Sequence, residues 1–223
     1  MSIVVDKIKQ DWVIQAYDDT RGTPHIVIDN WYNEKELKSV WHELEFYNLQ
    51  KNVIQANKTT DVARDENNKA KSNAFRFYLD SFYTHFGLKI SPISSCMYKQ
   101  RSEQFKEIVK QSMPLHENNF RNTNHDSTMI SYYDKGKYYK PHCDSVQFTC
   151  LIWLFKEPKK FKNGDLKLIQ ANQTIECVSN RMLFFPSYLK HQVTKLSSDK
   201  RIPFGEGRYC ITHFYNWEGT SAQ

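Results

Sequence analysis

Three side chains in the second half of the chain have the types and spacing of a metal site. His142 and Asp144 are two residues apart, so on a β-strand both side chains point to the same face. His191 supplies a second imidazole later in the chain. Two imidazoles and one carboxylate on one side of an ion, with the other side open, are the facial ligand set typical of non-haem Fe(II). The sequence therefore predicts a metal site at these three residues.

An arginine downstream of these ligands has the chemistry to bind an anion. Arg208 stays charged and presents parallel N–H donors, which suits two-point contact with a carboxylate. Thr212 shares the face of Arg208 if this segment is a strand. His213 then lies on the opposite face, so we expect it to be structural or exposed and not a metal ligand.

The support for this site comes from its surroundings, because a His-x-Asp triplet by itself carries little information. Three apolar runs of strand length, rich in aromatic residues, cover 148–155, 181–186 and 208–215. His191 follows the turn that Pro186 indicates. Because rigid strands hold ligand geometry better than loops do, these runs predict a β core that positions the site.

The composition predicts a folded protein in a reducing compartment. A chain of 223 residues suffices for one large domain with a sizeable core. Its five cysteines have no Cys-x-x-Cys spacing and are expected to be reduced thiols. We find no signal peptide and no apolar run of membrane-spanning length, which predicts a cytoplasmic protein without a membrane partner. The net charge of +6 permits nucleic acid as a partner but does not argue for it.

The first part of the chain is predicted to supply helical support. The apolar pattern predicts a strand over 25–30 and helices over 34–48, 73–86 and 103–111, although the first residues of 73–86 also fit a strand. From residue 128 onward the apolar period shifts toward two, which predicts mainly strand.

Two stretches are predicted to be loops. Residues 51–72 are almost wholly polar, and we expect a mobile surface loop, with a lid or substrate loop as the less favoured alternative. Residues 114–127 are predicted to form a second loop, which would share in the choice of substrate.

Four motifs follow one another in the strand-rich half. They are Tyr133-x-x-Gly136-x-x-Tyr139-x-x-His142-x-Asp144, Phe161 to Leu166, Met182 to Ser187 leading to His191, and Gly207 to Thr212. In this order they resemble the 2-oxoglutarate- and Fe(II)-dependent dioxygenases, specifically the prolyl 4-hydroxylase-like group. The resemblance implies an α+β, mainly β fold, with a double-stranded β-helix (jelly-roll) core and N-terminal supporting helices. It also implies one domain over 1–223, in which 1–127 supply helices and substrate loops and 128–217 form the core with the metal site.

The same resemblance implies a role for each candidate residue. The implied assignments are Fe(II) for His142, Asp144 and His191, and the co-substrate 2-oxoglutarate for Arg208 and Tyr133, with Thr149 and Thr212 as weaker candidates. Arg208 would bind the distal carboxylate, and Tyr133 would donate a hydrogen bond. The implied cofactors are Fe(II), 2-oxoglutarate and O2, with ascorbate as an accessory reductant.

Three departures from the pattern of the family concern the co-substrate pocket. Asn163 replaces the first glycine of a Gly-Gly turn, and asparagine tolerates the positive φ that such a turn requires. Cys210 stands where many relatives have serine, which would weaken a hydroxyl contact. The long stretch before Arg208 contains Arg201, which is an alternative anchor. We prefer Arg208 because the strand pattern follows it.

The function that the resemblance implies is hydroxylation of an unactivated C–H bond, with a prolyl residue of a protein or peptide as the preferred substrate. A free amino acid or another small metabolite is the alternative substrate. Nucleic-acid demethylation is disfavoured, because Phe214 stands where alkylation-repair relatives have a second arginine. A non-catalytic jelly-roll binding module, or a cupin-like Zn protein, is disfavoured by the complete ligand set beside an anchor arginine.

Overall fold

The computed structural model of the protein describes residues 12–18, 23–48, 54–79, 83 and 90–219. The strands are β1 (Val13–Tyr17), β2 (His25–Asp29), β3 (Ile54–Gln55), β4 (Phe75–Tyr78), β5 (His125–Tyr133), β6 (Tyr139–His142), β7 (Phe148–Leu154), β8 (Leu166–Leu168), β9 (Gln173–Ile175), β10 (Arg181–Pro186), β11 (His191–Val193) and β12 (Arg208–Asn216). The helices are α1 (Glu34–Tyr47), α2 (Pro92–Ser95), α3 (Tyr98–Arg101), α4 (Glu103–Ser112) and α5 (Glu117–Arg121).

The strands of the described residues form two antiparallel sheets. The larger sheet has the order β1-β2-β10-β7-β12-β5-β4-β3, and the smaller has the order β6-β11-β8-β9. One apolar cluster contains side chains of both sheets, among them Trp153 and Phe185 of the larger and Leu166 and Val193 of the smaller. The two sheets therefore face each other across a shared core, and the fold is the predicted double-stranded β-helix, α+β and mainly β.

Strand β10 shows how the alternation of side chains builds two cores from one sheet. Met182 and Phe184 pack in the cluster on the helical side of the larger sheet. Leu183 and Phe185 point the other way, into the cluster between the sheets. Because successive side chains of a strand leave opposite faces, a strand buried on both sides reads as a continuous apolar run.

The helices cover the outer face of the larger sheet. Helix α1 begins at a capping box, in which the Asn33 side chain accepts from the Glu36 amide and the Glu36 carboxylate accepts from the Asn33 amide. Val40 and Leu44 of its apolar stripe are fully buried in the helical-side core, and Leu37 and Trp41 pack partly buried against it. The predicted helices over 34–48 and 103–111 are confirmed by α1 and α4. Among the described residues, none of the helices has the length and apolarity needed to cross a bilayer.

The helix predicted over 73–86 is wrong for its first residues. Phe75–Tyr78 form strand β4, which pairs with β5 and β3, so the weaker strand alternative is confirmed there. Aromatic residues favour a pleated, half-buried surface, and pairing with β5 decided between the two periods. Residues 80–82 and 84–89 lie outside the described residues.

The two predicted loops are more structured than their polarity indicated. Within 54–72, Val62 is buried and Arg64 pairs with Ala70 in an antiparallel bridge. Residues 114–127 contain helix α5 and the start of β5, so the prediction of a loop is wrong for most of this stretch. Phe120 explains the difference, because its ring is fully buried among Phe105, Phe148 and other aromatic rings.

Gly207 is where β12 starts, and it has no room for a side chain. A Cβ at this position would lie 2.3 Å from the Tyr133 carbonyl oxygen and 2.9 Å from the Tyr132 hydroxyl. Gly207→Ala is therefore expected to lower the free energy of unfolding by about 3 kcal/mol, measured by urea denaturation. The control is Gly136→Ala, where a Cβ meets nothing within 4 Å and only the positive φ of +87° is unfavourable. In Gly136→Ala the free energy of unfolding should fall by only about 1 kcal/mol. Equal losses in the two variants would show that the backbone at Gly207 moves to relieve the clash.

The buried imidazole of His213 is expected to make the folded protein less stable in acid. Its side chain is buried, on the opposite face of β12 from Arg208 as predicted, with Nδ1 2.9 Å from the Thr128 hydroxyl. Burial lowers the pKa of His213 to about 3. In the unfolded chain a histidine has a pKa near 6.5. Between about pH 6.5 and 3 it is therefore protonated in the unfolded state but neutral in the folded state, so the free energy of unfolding falls as the pH drops through this range. From about pH 6.5 to 4.5 we expect a loss of roughly 2 to 3 kcal/mol that His213→Leu reduces in urea titrations. An identical pH dependence in the variant would contradict this.

Candidate metal centre

The structure brings together the three predicted metal ligands. The His142 Nε2 atom lies 3.6 Å from Asp144 Oδ1, and the His191 Nε2 atom lies 3.7 Å from Asp144 Oδ2. Ligand atoms of all three residues lie within 4.8 Å of one another, and no other such group of three occurs among the residues that the structure describes. One ion of ordinary size can therefore contact all three.

Two neighbouring strands of the smaller sheet position these ligands. His142 on β6 and His191 on β11 are direct partners in the antiparallel register. The next partners are Tyr139 and Val193, so β6 has one residue more than β11 between the two pairs. Such a bulge breaks the alternation of side chains and places Tyr139 on the face of His142. The Tyr139 ring is stacked on the His142 ring, with 3.5 Å between centroids.

Both imidazoles are held in the tautomer that a metal requires. The Nδ1 atoms of His142 and His191 lie 2.8 Å and 2.9 Å from the carbonyl oxygens of Lys140 and Leu189. Because a carbonyl can only accept, each Nδ1 carries the proton and each Nε2 presents a lone pair to the site. Burial, and then the neighbouring His191, lower the pKa of His142 to about 4, so His142 is neutral at physiological pH.

The carboxylate of Asp144 is oriented from behind by a pair of hydroxyl groups. Thr149 donates to Asp144 Oδ2 over 2.7 Å, and the Ser187 hydroxyl lies 2.7 Å from that of Thr149. Thr149 was predicted as a weaker co-substrate residue. The structure places it beside the predicted metal ligand Asp144, with its hydroxyl hydrogen directed at the carboxylate, and its co-substrate role stays a prediction.

Thr149→Val is expected to weaken Co(II) binding by about ten- to a hundredfold, because residues that orient a ligand have effects of this size. The dissociation constant can be measured by titration of the absorption of bound Co(II). Thr174→Val is the matched control, since Thr174 is an exposed strand threonine of the smaller sheet. Equal affinity in the wild type and Thr149→Val would show that the hydroxyl does not support the ligand.

Arg208 is a fully buried cation that has no carboxylate partner among the residues that the structure describes. It lies opposite Tyr133 in the register of β12 and β5. Its guanidinium carbon is 4.9 Å from the centre of the Tyr133 ring and 5.4 Å from that of Trp153. None of its three guanidinium nitrogens meets an oxygen acceptor in the part of the chain that the structure describes, and the neighbouring polar group is the Cys177 thiol, a weak acceptor. Arg201, the alternative anchor, is exposed and lines a surface cavity with Lys135.

Arg208 and the two histidines contact residues of the same apolar cluster. Tyr133, which lies against Arg208, belongs to the apolar cluster between the sheets. Phe185, whose ring meets the edge of the His191 ring at 4.9 Å, belongs to the same cluster. Tyr139, stacked on His142, packs against it. A ligand that reaches from Arg208 to the three metal ligands would thus lie between the two sheets.

The Asn163-Gly164 turn packs closely against the aliphatic part of the Arg208 side chain. The turn takes positive φ at both residues, 63° and 82°, so asparagine does replace glycine there as expected. A Cβ on Gly164 would lie 3.3 Å from Arg208 Cδ and 3.0 Å from Leu196 Cδ1. Thr212, the other weaker candidate, is buried on the face of Arg208, with its hydroxyl 3.9 Å from the Cys210 sulfur.

Two residues of this site were missed from the sequence. Tyr139 is in the motif around the first ligands but received no role, and its position in the motif was a signal that could have been used. Arg76 on β4 is buried and contacts the Tyr139 hydroxyl over 3.4 Å. No pattern in the sequence marks Arg76, because it is a lone cation in an aromatic stretch.

The chain is similar to a known family over its strand-rich half. The model of a family described as the 2OG-Fe(II) oxygenase superfamily matches residues 128–216. An uncharacterised PKHD-type hydroxylase of Synechocystis sp. is 24% identical over 181 residues, which is 73% of this chain and 57% of that relative. The chain thus spans little more than half the length of this curated relative.

Solved structures share the architecture at low identity. A prolyl-4-hydroxylase of Pseudomonas putida superposes with a TM-score of 0.55 at 13% identity, over 95% of each chain. NgTET1, solved in complex with 5mC DNA, superposes with a TM-score of 0.56 at 14% identity, over 94% of this chain and 79% of its own. At these identities the similarity extends to the fold and not to the substrate.

Proposed function

We propose that the chain is an Fe(II)- and 2-oxoglutarate-dependent dioxygenase, because its residues 128–216 match the model of the 2OG-Fe(II) oxygenase superfamily. The reaction is hydroxylation of an unactivated C–H bond, and the proposed substrate is a prolyl residue of a protein or peptide. The family match confirms the resemblance that the sequence motifs carry, and Fe(II), 2-oxoglutarate and O2 are the cofactors of this family.

One observation supports the proposal above the others. Arg208 is fully buried, and within the described residues its three nitrogens meet no carboxylate or other oxygen acceptor, only the neighbouring Cys177 thiol, which is a weak acceptor. A buried charge without a partner costs several kcal/mol, so such a group is expected where a ligand supplies the opposite charge. The distal carboxylate of 2-oxoglutarate has the charge and the two oxygens that match the guanidinium fork. The residues present therefore fit the co-substrate.

Each residue of the site has a separate task in this proposal. His142, Asp144 and His191 would hold Fe(II) on one side and leave the other side open. Burial is the main cause that raises the pKa of Tyr133 to about 12, so its phenol keeps the proton with which it can bond the co-substrate. When bound, the iron and the co-substrate supply the oxidising chemistry. The protein orients the reactants and excludes water through the apolar walls between the sheets.

The choice of a prolyl residue is supported by the sequence motif and by the names of relatives. The Synechocystis relative is named a PKHD-type hydroxylase, and a prolyl-4-hydroxylase has the same fold. The similar structure that holds DNA shows that this fold also admits other substrates. In this chain Phe214 occupies the position of the second arginine of alkylation-repair enzymes, which favours a peptide over nucleic acid.

The test is production of succinate from 2-oxoglutarate by the purified protein with Fe(II) and ascorbate. Proline-containing peptides and free proline are incubated in parallel, and mass spectrometry looks for the gain of one oxygen. We expect Fe(II)-dependent succinate and a hydroxylated peptide. If only free proline were oxidised, the dioxygenase activity would stand, but the substrate would be a free amino acid and not a prolyl residue. If no succinate formed after iron loading, a non-catalytic binding module would be favoured.

A further inference from the structure

A second buried arginine, Arg76, contacts the tyrosine that is stacked on the His142 ring. Its guanidinium donates to the Asp61 carboxylate over 3.2 Å and to the Tyr139 hydroxyl over 3.4 Å, through different nitrogens. The Tyr78 hydroxyl donates to both oxygens of Asp61, over 2.7 Å and 2.8 Å. The side chain of Arg76 is 3% exposed and that of Asp61 is 50% exposed. Arg76 thus joins an outer acid to a tyrosine that touches a metal ligand.

The segment that carries Asp61 lies along the strand of His142. The Ala63 amide donates to the Tyr139 hydroxyl over 3.2 Å. The Lys140 amide donates to the Lys71 carbonyl over 2.9 Å, and Ser72 pairs with Tyr139 in an antiparallel bridge. Residues 59–72 therefore form an edge beside β6, the strand that presents the first metal ligand.

We propose that Arg76 is a positioning residue, which holds segment 59–63 against Tyr139 as a wall of the substrate cleft beside His142. This inference rests on the proposed function for its consequence in catalysis. Arg76 does not reach the metal ligands itself. It acts through Tyr139, whose ring covers one face of the His142 imidazole.

The geometry explains why an arginine is needed at this position. One nitrogen of its planar fork contacts Asp61 while another contacts Tyr139, so the group bridges the segment and the strand in a fixed orientation. A lysine has one ammonium group and cannot span both contacts in this way. The Tyr139 hydroxyl in turn accepts from Ala63 and from Arg76, which makes it the joint between the wall and the metal centre.

Hydrogen exchange tests the wall without any substrate. In Tyr139→Phe and in Asp61→Asn, the amides of a peptide covering residues 59–64 are expected to exchange about tenfold faster than in the wild type. Tyr139→Phe keeps the stacked ring and removes only the hydroxyl, and Asp61 is half exposed, so neither change threatens folding. Asp65→Asn is the matched control, because Asp65 lies in the same segment, and among the described residues the hydrogen bonds of its carboxylate come from the amides of Asn67 and Lys69. Unchanged exchange in the first two variants, or equal acceleration in the control, would overturn the proposal.

Kinetics separate a positioning role from general loosening of the fold. With a short poly-L-proline peptide as the probe, Tyr139→Phe and Asp61→Asn should each raise the KM for the peptide about tenfold. The KM for 2-oxoglutarate should stay within about twofold, since Arg208 lies on another strand. Fast exchange with an unchanged peptide KM would overturn the role of the wall in substrate binding. A wild-type protein that leaves the peptide unmodified would refute the prolyl substrate, while the exchange rates would still decide whether the contacts among Asp61, Arg76 and Tyr139 position the segment.

Discussion

Replacing Arg208 by alanine is expected to raise the KM for 2-oxoglutarate about a hundredfold, whereas Arg201→Ala should leave it within about twofold. Arg208 is fully buried and Arg201 is exposed. A carboxylate bound to a buried guanidinium is shielded from water and salt, so truncation of one partner costs several kcal/mol. An exposed ion pair is screened and contributes little. The measurement is initial succinate formation over a series of 2-oxoglutarate concentrations.

Two further variants show what the arginine contributes. Arg208→Lys keeps the charge and loses the two parallel donors, so we expect it to recover only part of the affinity. Gly164→Ala should also raise the KM for 2-oxoglutarate. The new methyl group would lie only 3.3 Å from Arg208 Cδ and would press on the arginine side chain. Retained Co(II) binding in all the variants shows that the metal centre is intact. A normal KM in Arg208→Ala together with a raised KM in Arg201→Ala would make Arg201 the anchor.

The regular strands made part of this site predictable. On β12, the alternation of side chains placed Arg208 and Thr212 on one face and His213 on the other, and the structure has the same arrangement. A period of two fixes the face of every residue as soon as one is known. The same reasoning predicted β7 and β10, because strands buried on both faces must be apolar throughout.

The remaining part of the site depends on features that a local pattern does not contain. In a regular strand Tyr139 and His142 would point to opposite faces, and only the extra residue in β6 brings their rings together. Arg76 meets Tyr139 across a separation of 63 residues, through the pairing of β4 with β5. The aromatic residues around Arg76 fit a helical period as well as a strand. The prediction of a helix there gave no reason to expect that Arg76 would contact Tyr139.

Thr149 shows a different limit, because its spacing placed it beside the site but did not reveal that its hydroxyl contacts Asp144. The residue lies on a strand that borders the site, which made a co-substrate contact reasonable. Its hydroxyl instead donates to Asp144, and this choice depends on where the carboxylate turns after β6 ends. Residues that orient a ligand are selected by distances of a few tenths of an ångström, which sequence spacing does not resolve.

Removal of one imidazole is expected to abolish tight metal binding. In His142→Ala and in His191→Ala, two of three ligands remain, and we expect the affinity for Co(II) to fall by more than about a hundredfold, because losing a ligand costs more than losing the residue that orients it. Both rings are almost completely buried, and each Nε2 lies within 4 Å of Asp144. Binding is measured by titration of Co(II) absorption, and succinate formation should disappear in parallel.

His125→Ala is the matched control, because His125 is about half exposed and, among the described residues, pairs with the exposed Glu218. It should bind Co(II) and form succinate as the wild type does. The pattern across variants separates the two halves of the site, since Arg208→Ala should keep the metal and lose the co-substrate. If His191→Ala bound Co(II) as tightly as the wild type, the ion would be held elsewhere, and the dioxygenase reaction could not be assigned to these strands.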